Sequence, residues 1–392
     1  MKRFFAIVAC LLAASLASAQ SLYVDNAITR HQRAMSGGTV AERVAAANEL
    51  GQAIIQNDWR PDAVLRAYEA RQTLCVYAAC QGAGPIAKFA ADRPVPQDLL
   101  STSDVGLLKT YSDWMNSGTP QTRAALDEAL TASASVRATP LSVIAFQTRY
   151  TEDSNAGDWA AAAVSAAEAA QHFAPNRSVI GERWSDAVLA ATTAHFNHAP
   201  NPDAILRLAT HTVELVELER TLGTRPEWLE KHAYTTRAWQ EAMSAYYRSA
   251  SAYNGNGNRY AVSGPSVDQI AEEADAILAN AGKSDLVPDF WASEDSNGLP
   301  FCDGKLSENP DIRFPRNAGR AGTFGSVIMR ISIDDLDVTD VEVLAAVPAE
   351  TFEKPALKAV RKKKWIVENG TPGVTCSTSQ KDMMAVVWFL IR

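Results

Sequence analysis

Strand-like alternation of apolar and polar residues is confined to the C-terminal end of this 392-residue chain. From residue 25 to residue 282, apolar residues recur instead at the three- and four-residue spacing of amphipathic helices. Segment 201–220 is the clearest case, because Asn201 can cap a helix and Pro202 suits its first turn. Its apolar stripe comprises Ile205, Leu208, Ala209, Thr212, Val213, Leu215 and Val216. We therefore predict an all-α region over this part of the chain.

The alternation itself begins at Ser326 and predicts a small sheet. Val327, Met329, Ile331 and Ile333 would lie on one face, with Ser326, Ile328, Arg330 and Ser332 on the other. A turn at 333–337 and a second strand at 338–344 complete a hairpin. Pro355 suits the first turn of a helix over 354–365, and the chain closes on a β-prone strand at 385–391. The pattern predicts a multidomain chain: an all-α helical-hairpin domain followed by a small α+β domain of order β-β-α-β, with an antiparallel sheet and one helix.

The first residues have the three parts of a secretory signal peptide. Lys2 and Arg3 precede an apolar run, and Ala17-Ser18-Ala19 provides a small-residue cleavage site before Gln20. The run is shorter than the roughly 20 residues that cross a bilayer as a helix. An uncleaved membrane anchor is the alternative interpretation. The predicted organisation is a signal peptide at 1–19, a helical domain at 20–282, a linker at 283–300 and a C-terminal domain at 301–392.

Net charge and cysteine content bear on the partners and the compartment that we expect for this protein. The net charge of −8 argues against nucleic acid and anionic membrane surfaces as partners. Removal of the signal peptide, with Cys10, leaves four cysteines, which in an oxidising compartment favours two disulfides. Cys75 with Cys80 and Cys302 with Cys376 keeps each pair inside one predicted domain. Two other pairings and a zinc site are alternatives, although the paired C-x-x-C spacing of structural zinc is absent.

Segment 157–175 bears on the topology of the helical domain. Gly157, Asp158 and Trp159 open an alanine-rich helix that Pro175 ends, and this segment resembles the second half of a tetratricopeptide repeat. Asp-Trp recurs at 58–59 and 113–114, which does not fit a fixed period of about 34 residues. The sequence therefore leaves two topologies open, which are stacked helical hairpins of repeat type and an irregular helical bundle.

A set of residues keeps one register through the C-terminal domain. Arg313-Phe314-Pro315-Arg316 is followed by Ala318, Gly322, Gly325 and Val327, then by Thr339-Asp340-Val341-Glu342-Val343, and then by Phe352, Ala356, Leu357, Ala359, Val360 and Arg361. In this register, residues 313–392 resemble the C-terminal domain of the TonB family. Leu336, Lys363 and Val367-Glu368 depart from the family's usual turn glycine, helix tryptophan and following proline. These departures bear on partner specificity more than on the fold.

The resemblance implies a protein-binding function. Family members bind an extended segment of an outer-membrane receptor at a sheet edge, where backbone groups form hydrogen bonds and side-chain pockets discriminate. By this resemblance the partner-binding residues are Arg313, Phe314, Pro315, Arg316, Ala385, Val386, Val387, Trp388, Phe389, Leu390 and Ile391. The expected partner is a protein, such as an outer-membrane receptor or another envelope protein.

Patterns that would indicate catalysis or a metal site are weak. His195 and His198 lie one helical turn apart, and His211 or His172 could complete a site, but the glutamate of H-E-x-x-H is absent. No serine has the spacing of a nucleophile elbow. We therefore predict a periplasmic, non-enzymatic binding protein without a cofactor or metal. A membrane-anchored, TonB-type energy transducer for outer-membrane transport is the alternative.

Overall fold

The structure is a computed structural model, and it divides the chain into two compact units. The first unit comprises its residues up to Arg149 together with Gln171–Pro175, and the second comprises Tyr150–Ala170 and the residues from Asn176 onward. The structure describes residues 22–57, 60, 62–91, 93, 102–133, 138–252, 265–282, 284, 286, 299–307, 314–321 and 323–390.

Helices account for the regular secondary structure of the described residues before 300, as the apolar spacing predicts. They are α1 (22–37), α2 (Val40–Gln56), α3 (Ala63–Ala78), α4 (Ala83–Ala91), α5 (Thr102–Ser117), α6 (Pro120–Ser133), α7 (Pro140–Asn155), α8 (Trp159–Phe173), α9 (Arg177–His198), α10 (Pro202–Leu222), α11 (Glu227–Ala252) and α12 (Val267–Ala279). Among the described residues, no helix combines the length and apolar character needed to cross a bilayer. The predicted signal peptide at 1–19 lies outside these residues.

Helix α10 shows how local sequence sets these boundaries. The Asn201 side chain accepts a hydrogen bond from the Ala204 backbone N–H at 3.3 Å, and Pro202 occupies the first turn. Gly223 ends the helix with a left-handed φ of 64°, a conformation that glycine adopts without steric cost. The helix predicted over 201–220 is confirmed.

The α8 segment also begins as its sequence indicates. Gly157 has a φ of 74°, and the Asp158 carboxylate accepts a hydrogen bond from the Ala161 backbone N–H at 3.0 Å. The first Asp-Trp pair, 58–59, lies outside the described residues. The tetratricopeptide topology stays a prediction.

The C-terminal region combines strands with two short helices. Its elements are β1 (Asp303–Leu306), α13 (Arg316–Ala321), β2 (Gly325–Asp334), β3 (Asp337–Val347), α14 (Glu353–Val360), β4 (Trp365–Asn369) and β5 (Gln380–Phe389). Strands β3, β2 and β5 form an antiparallel sheet in that order, and β1 pairs with β4. The predicted hairpin, helix and closing strand are confirmed as one α+β fold.

The bounds of the last elements differ from the prediction. Helix α14 ends at Val360, not at Trp365, because Trp365 starts β4. The Trp365 backbone N–H donates to the Leu336 carbonyl at 2.7 Å, and its indole N–H donates to the Cys302 carbonyl at 2.9 Å. These long-range bonds hold Trp365 in an extended segment. The closing strand begins earlier than predicted, at Gln380, and ends at Phe389.

Leu336 lies in a hairpin turn that tolerates its departure from glycine. Asp335 and Leu336 both have positive φ, of 47° and 68°, as in the tight turns that match strand twist. The Leu336 side chain packs against the core of the sheet, and its backbone N–H donates to the Thr378 carbonyl at 3.0 Å. Burial and this hydrogen bond offset the steric cost of a non-glycine residue at this φ.

Both predicted disulfides are present. Cys75–Cys80 spans the C-terminal end of α3, and Cys302–Cys376 joins the start of the C-terminal region to the residues before β5. All four sulfur-bearing side chains are buried. Most of the predicted linker, 283–300, lies outside the described residues.

Candidate functional site

Strand β5 forms one edge of the three-stranded sheet. It pairs with β2 along its length, with Val387 opposite Val327 and Trp388 opposite Ser326. No other described strand pairs with β5. Within the part of the chain that the structure describes, the outer backbone groups of β5 are therefore available to an added strand.

One face of the sheet is closed by α14 and an aromatic cluster. Phe352 stacks on Phe389 with ring centroids 4.4 Å apart, and Phe314 contacts both rings edge-on at 5.6 and 6.0 Å. Ala385 and Val387 of β5 belong to the same buried core. The aromatic-proline entry at Phe314 thus packs over the sheet, as its resemblance implies.

The other face of the sheet is covered by helix α11, and both lie in the second compact unit. Ala238 and Ala242 pack with Ile328 and Val347 in a second buried cluster. The Ser326 hydroxyl donates to the Ala238 carbonyl at 2.6 Å, and both residues are fully buried. Small alanine side chains allow this close approach of helix to strand. The sheet is therefore an integral layer between α14 and α11.

Polar residues at the margin of the contact between α11 and the sheet also have partners. Arg330 donates to the Glu342 carboxylate at 3.1 Å. Burial raises the pKa of the Tyr234 hydroxyl, and a hydrogen bond with Arg330 opposes that rise. The charge of Arg330 is thus already engaged on this face of the sheet.

The predicted partner-binding residues fall into distinct environments. Arg313 and Ile391 lie outside the described residues. Phe314 and Pro315 are half-buried at the sheet entry, and Arg316 is exposed at the start of α13. In β5 and just beyond it, Ala385, Val387 and Phe389 are buried, Val386 and Leu390 are half-buried, and Trp388 is 50% exposed.

A buried polar network lies in the helical part of the second unit. The Ser185 hydroxyl is 2.8 Å from His211 Nε2 and 2.8 Å from His232 Nδ1, which connects α9, α10 and α11. His211 Nδ1 lies 3.1 Å from the Glu214 carboxylate. An ionised carboxylate only accepts, so His211 Nδ1 donates to Glu214, Ser185 donates to His211 Nε2, and His232 Nδ1 donates to Ser185.

The Ser185, His211 and Glu214 side chains lie at distances typical of a catalytic nucleophile, base and acid. Their burial nevertheless argues for a structural role. Ser185 and His211 are both fully buried. Burial lowers the pKa of His211, although the Glu214 hydrogen bond opposes this shift. Burial likewise lowers the pKa of His232, against the attraction of Asp186. Neutral imidazoles therefore complete a hydrogen-bonded chain that joins three helices.

Three of the histidines considered for a metal site have hydrogen-bond partners of their own in the structure. His195 is exposed and its Nε2 lies 2.9 Å from the Asn201 amide, whereas His211 is committed to Ser185 and Glu214. His172, in the first unit, is buried and its Nε2 lies 2.9 Å from the Ser142 hydroxyl. No group of three or more metal-binding side chains is found among the residues described.

Two features of the site were missed by sequence reasoning. The α11 cover was not anticipated because the second face of β2 mixes serine, isoleucine and arginine. Met384 was left out of the closing strand, although it belongs to β5 and lies on the same face as Val386 and Trp388. The apolar character of Met384 and its two-residue spacing from Val386 were the available signal.

Comparison with known proteins gives a match in the same region. Residues 310–379 match the family described as "Gram-negative bacterial TonB protein C-terminal". No curated protein and no solved structure matches the chain. A TonB C-terminal domain indicates a protein of the bacterial envelope that interacts with other proteins. The match, together with the hairpin of β2 and β3 and the helix α14 that it contains, identifies residues 310–379 as a TonB C-terminal domain, and strand β5 directly follows these residues.

Proposed function

We propose that this chain is a periplasmic, non-enzymatic protein that binds partner proteins by adding an extended partner segment to β5. The observation that carries the proposal is the edge position of β5, which pairs with β2 of the matched TonB C-terminal domain and directly follows residues 310–379. An edge strand presents unpaired N–H and C=O groups, and an extended chain satisfies them at every second residue. Outer-membrane receptors and other envelope proteins with exposed extended segments are the partners that we expect.

The helical cover determines which part of the chain a binding experiment must contain. Because α11 shares a buried cluster with β2 and β3, the sheet is packed as part of a larger unit. Binding experiments should therefore use the whole chain from Gln20 onward, since residues 301–392 alone would expose Ile328, Ala345 and Val347. The binding segment of the partner needs access only to the outer side of β5.

Proline substitution tests the proposed mode. Neighbouring amides in a strand point to opposite sides, so one of Val386 and Val387 directs its N–H to β2 and the other directs it outward. We expect the outward proline to preserve thermal unfolding but to abolish binding of peptides from periplasm-facing receptor segments, because proline lacks the amide donor. The inward proline should destabilise the sheet. Peptide affinity is measured by fluorescence anisotropy, and protection of 384–389 by hydrogen exchange.

Alanine at the same two positions provides the control. Val386→Ala and Val387→Ala keep the backbone donors, so both should bind more tightly than the outward proline variant. Peptide binding that leaves the exchange of β5 amides unchanged, or that survives both prolines, would contradict strand addition.

The amino terminus tests the proposed location. Protein purified from the periplasmic fraction of expressing cells should have an intact mass that begins at Gln20, because Ala17-Ser18-Ala19 has the small-residue pattern that signal peptidase recognises. Recovery of residues 1–19 in the membrane fraction would instead support the membrane-anchored transducer. Ala17→Arg with Ala19→Arg should block cleavage, which provides a reference mass for the unprocessed chain.

A further inference from the structure

The two faces of β5 differ in what they offer a partner. Ala385, Val387 and Phe389 are buried on the α14 face. The intervening residues on the α11 face are accessible: Met384 and Val386 are half-buried, and Trp388 is 50% exposed. On the α14 face Met383, opposite Ile331, is the half-buried exception. A segment added beside residues 384–389 therefore meets accessible side chains on the α11 face only.

The extent of the α11 cover explains why the β5 side chains on this face are more exposed than those on the α14 face. In the row of residues across the sheet, Trp388 lies opposite Ser326, and Ser326 lies opposite Val347. Helix α11 covers the inner part of this row, through the Ser326 bond to Ala238 and the packing of Val347. The cover thins toward β5, where the indole of Trp388 remains half-exposed. Backbone pairing and an exposed aromatic side chain thus coincide at one edge.

The accessible row is apolar along its length. Met384 faces Arg330 across the sheet, but Arg330 is already engaged by Glu342. Side chains directly opposite on neighbouring strands lie about 4.5–5.5 Å apart at their Cβ atoms and contact each other. Tryptophan is among the residues that contribute most to binding when they are partly exposed and become covered.

We infer that the partner segment carries apolar side chains at every second position, facing Met384, Val386 and Trp388, with Trp388 as the anchor. The inference rests on the proposed strand addition at β5. It specifies in addition which class of partner sequence this edge strand binds. Positions of the partner segment that face Ala385, Val387 and Phe389 are free to vary, because these three side chains are buried.

Two short synthetic peptides and the mature chain test this. One peptide alternates valine and threonine, and the other alternates serine and threonine at equal length and charge. We expect the valine peptide to bind about tenfold more tightly. Trp388→Ala should reduce that affinity by about tenfold, and Trp388→Phe should restore most of it. Ile366→Ala is the matched control, because Ile366 is 46% exposed on β4, away from the edge of β5.

The outcomes separate this inference from the proposed function. Equal binding of both peptides with protection of 384–389 would leave strand addition in place and overturn the apolar selection. Loss of affinity in Trp388→Ala no greater than in Ile366→Ala would overturn the anchor. If neither peptide protects 384–389, both the selection and strand addition are contradicted.

Discussion

Replacing Cys302 and Cys376 together with alanine should lower the free energy of unfolding of the C-terminal sheet by about 4 kcal/mol. The disulfide closes a loop with a sequence separation of 74, so its loss frees a long segment of the unfolded chain. Urea unfolding measures the effect, with hydrogen exchange followed on peptides from β2 and β5. Alanine avoids adding a hydroxyl at a buried position.

The second disulfide provides the matched control. Cys75 and Cys80 have a sequence separation of only 5, so Cys75→Ala with Cys80→Ala should cost about 2 kcal/mol by the same loop argument. That loss should be seen in peptides from α2 and α3, which lie in the other unit. Equal losses for both double variants would contradict a loop-length origin.

Lowering the pH from about 7 to about 5 should destabilise the α9–α11 core. Burial lowers the pKa of His211 and His232 in the folded state, so the unfolded chain binds more protons once the pH falls below about 6.5. Their contribution to stability is full above that pH and is lost as the pH falls toward the folded pKa values. Two such groups give a slope of at most about 2.7 kcal/mol per pH unit.

Two carboxylates in the same core modify this slope. Burial raises the pKa of Asp186, whose oxygen lies 3.7 Å from His232 Nε2, so proton uptake by folded Asp186 offsets part of the loss at the acid end. Burial favours neutral Glu214, but hydrogen bonds from His211 and Arg207 hold the pKa of this carboxyl below its usual range. Glu214 therefore remains the acceptor that orients His211.

Glutamine variants measure the histidine contribution. His211→Gln keeps hydrogen-bonding groups but cannot titrate, so urea unfolding at the two pH values should show a smaller difference than in the parent protein. His195→Gln is the control, because His195 is exposed and lies outside the network. An unchanged pH dependence in His211→Gln, or an equal change in His195→Gln, would contradict this account.

Much of the site could be predicted because its signals are local. The alternation from Val327 to Ile333 specifies which side chains of β2 share a face, and the core of the sheet contains the predicted four. The resemblance to the TonB family implied that Phe314 packs over the sheet, and its ring contacts Phe352 and Phe389 in the structure. The end of α14 was misplaced because a basic run suits a helix terminus and gives no sign of the strand pairing that starts at Trp365.

The sequence by itself determined the features that depend on near neighbours. The cap at Asn201, the stop at Gly223 and the period of β2 each act within a few residues, so they leave a readable pattern. Only the tertiary structure decided the α11 cover, where Ser326 bonds to a carbonyl 88 residues away, and the Ser185 network, which reaches His232 across 47 residues. Contacts between distant residues depend on how whole helices and strands pack against each other. The spacing of residue types along the chain does not show which of these elements will be neighbours.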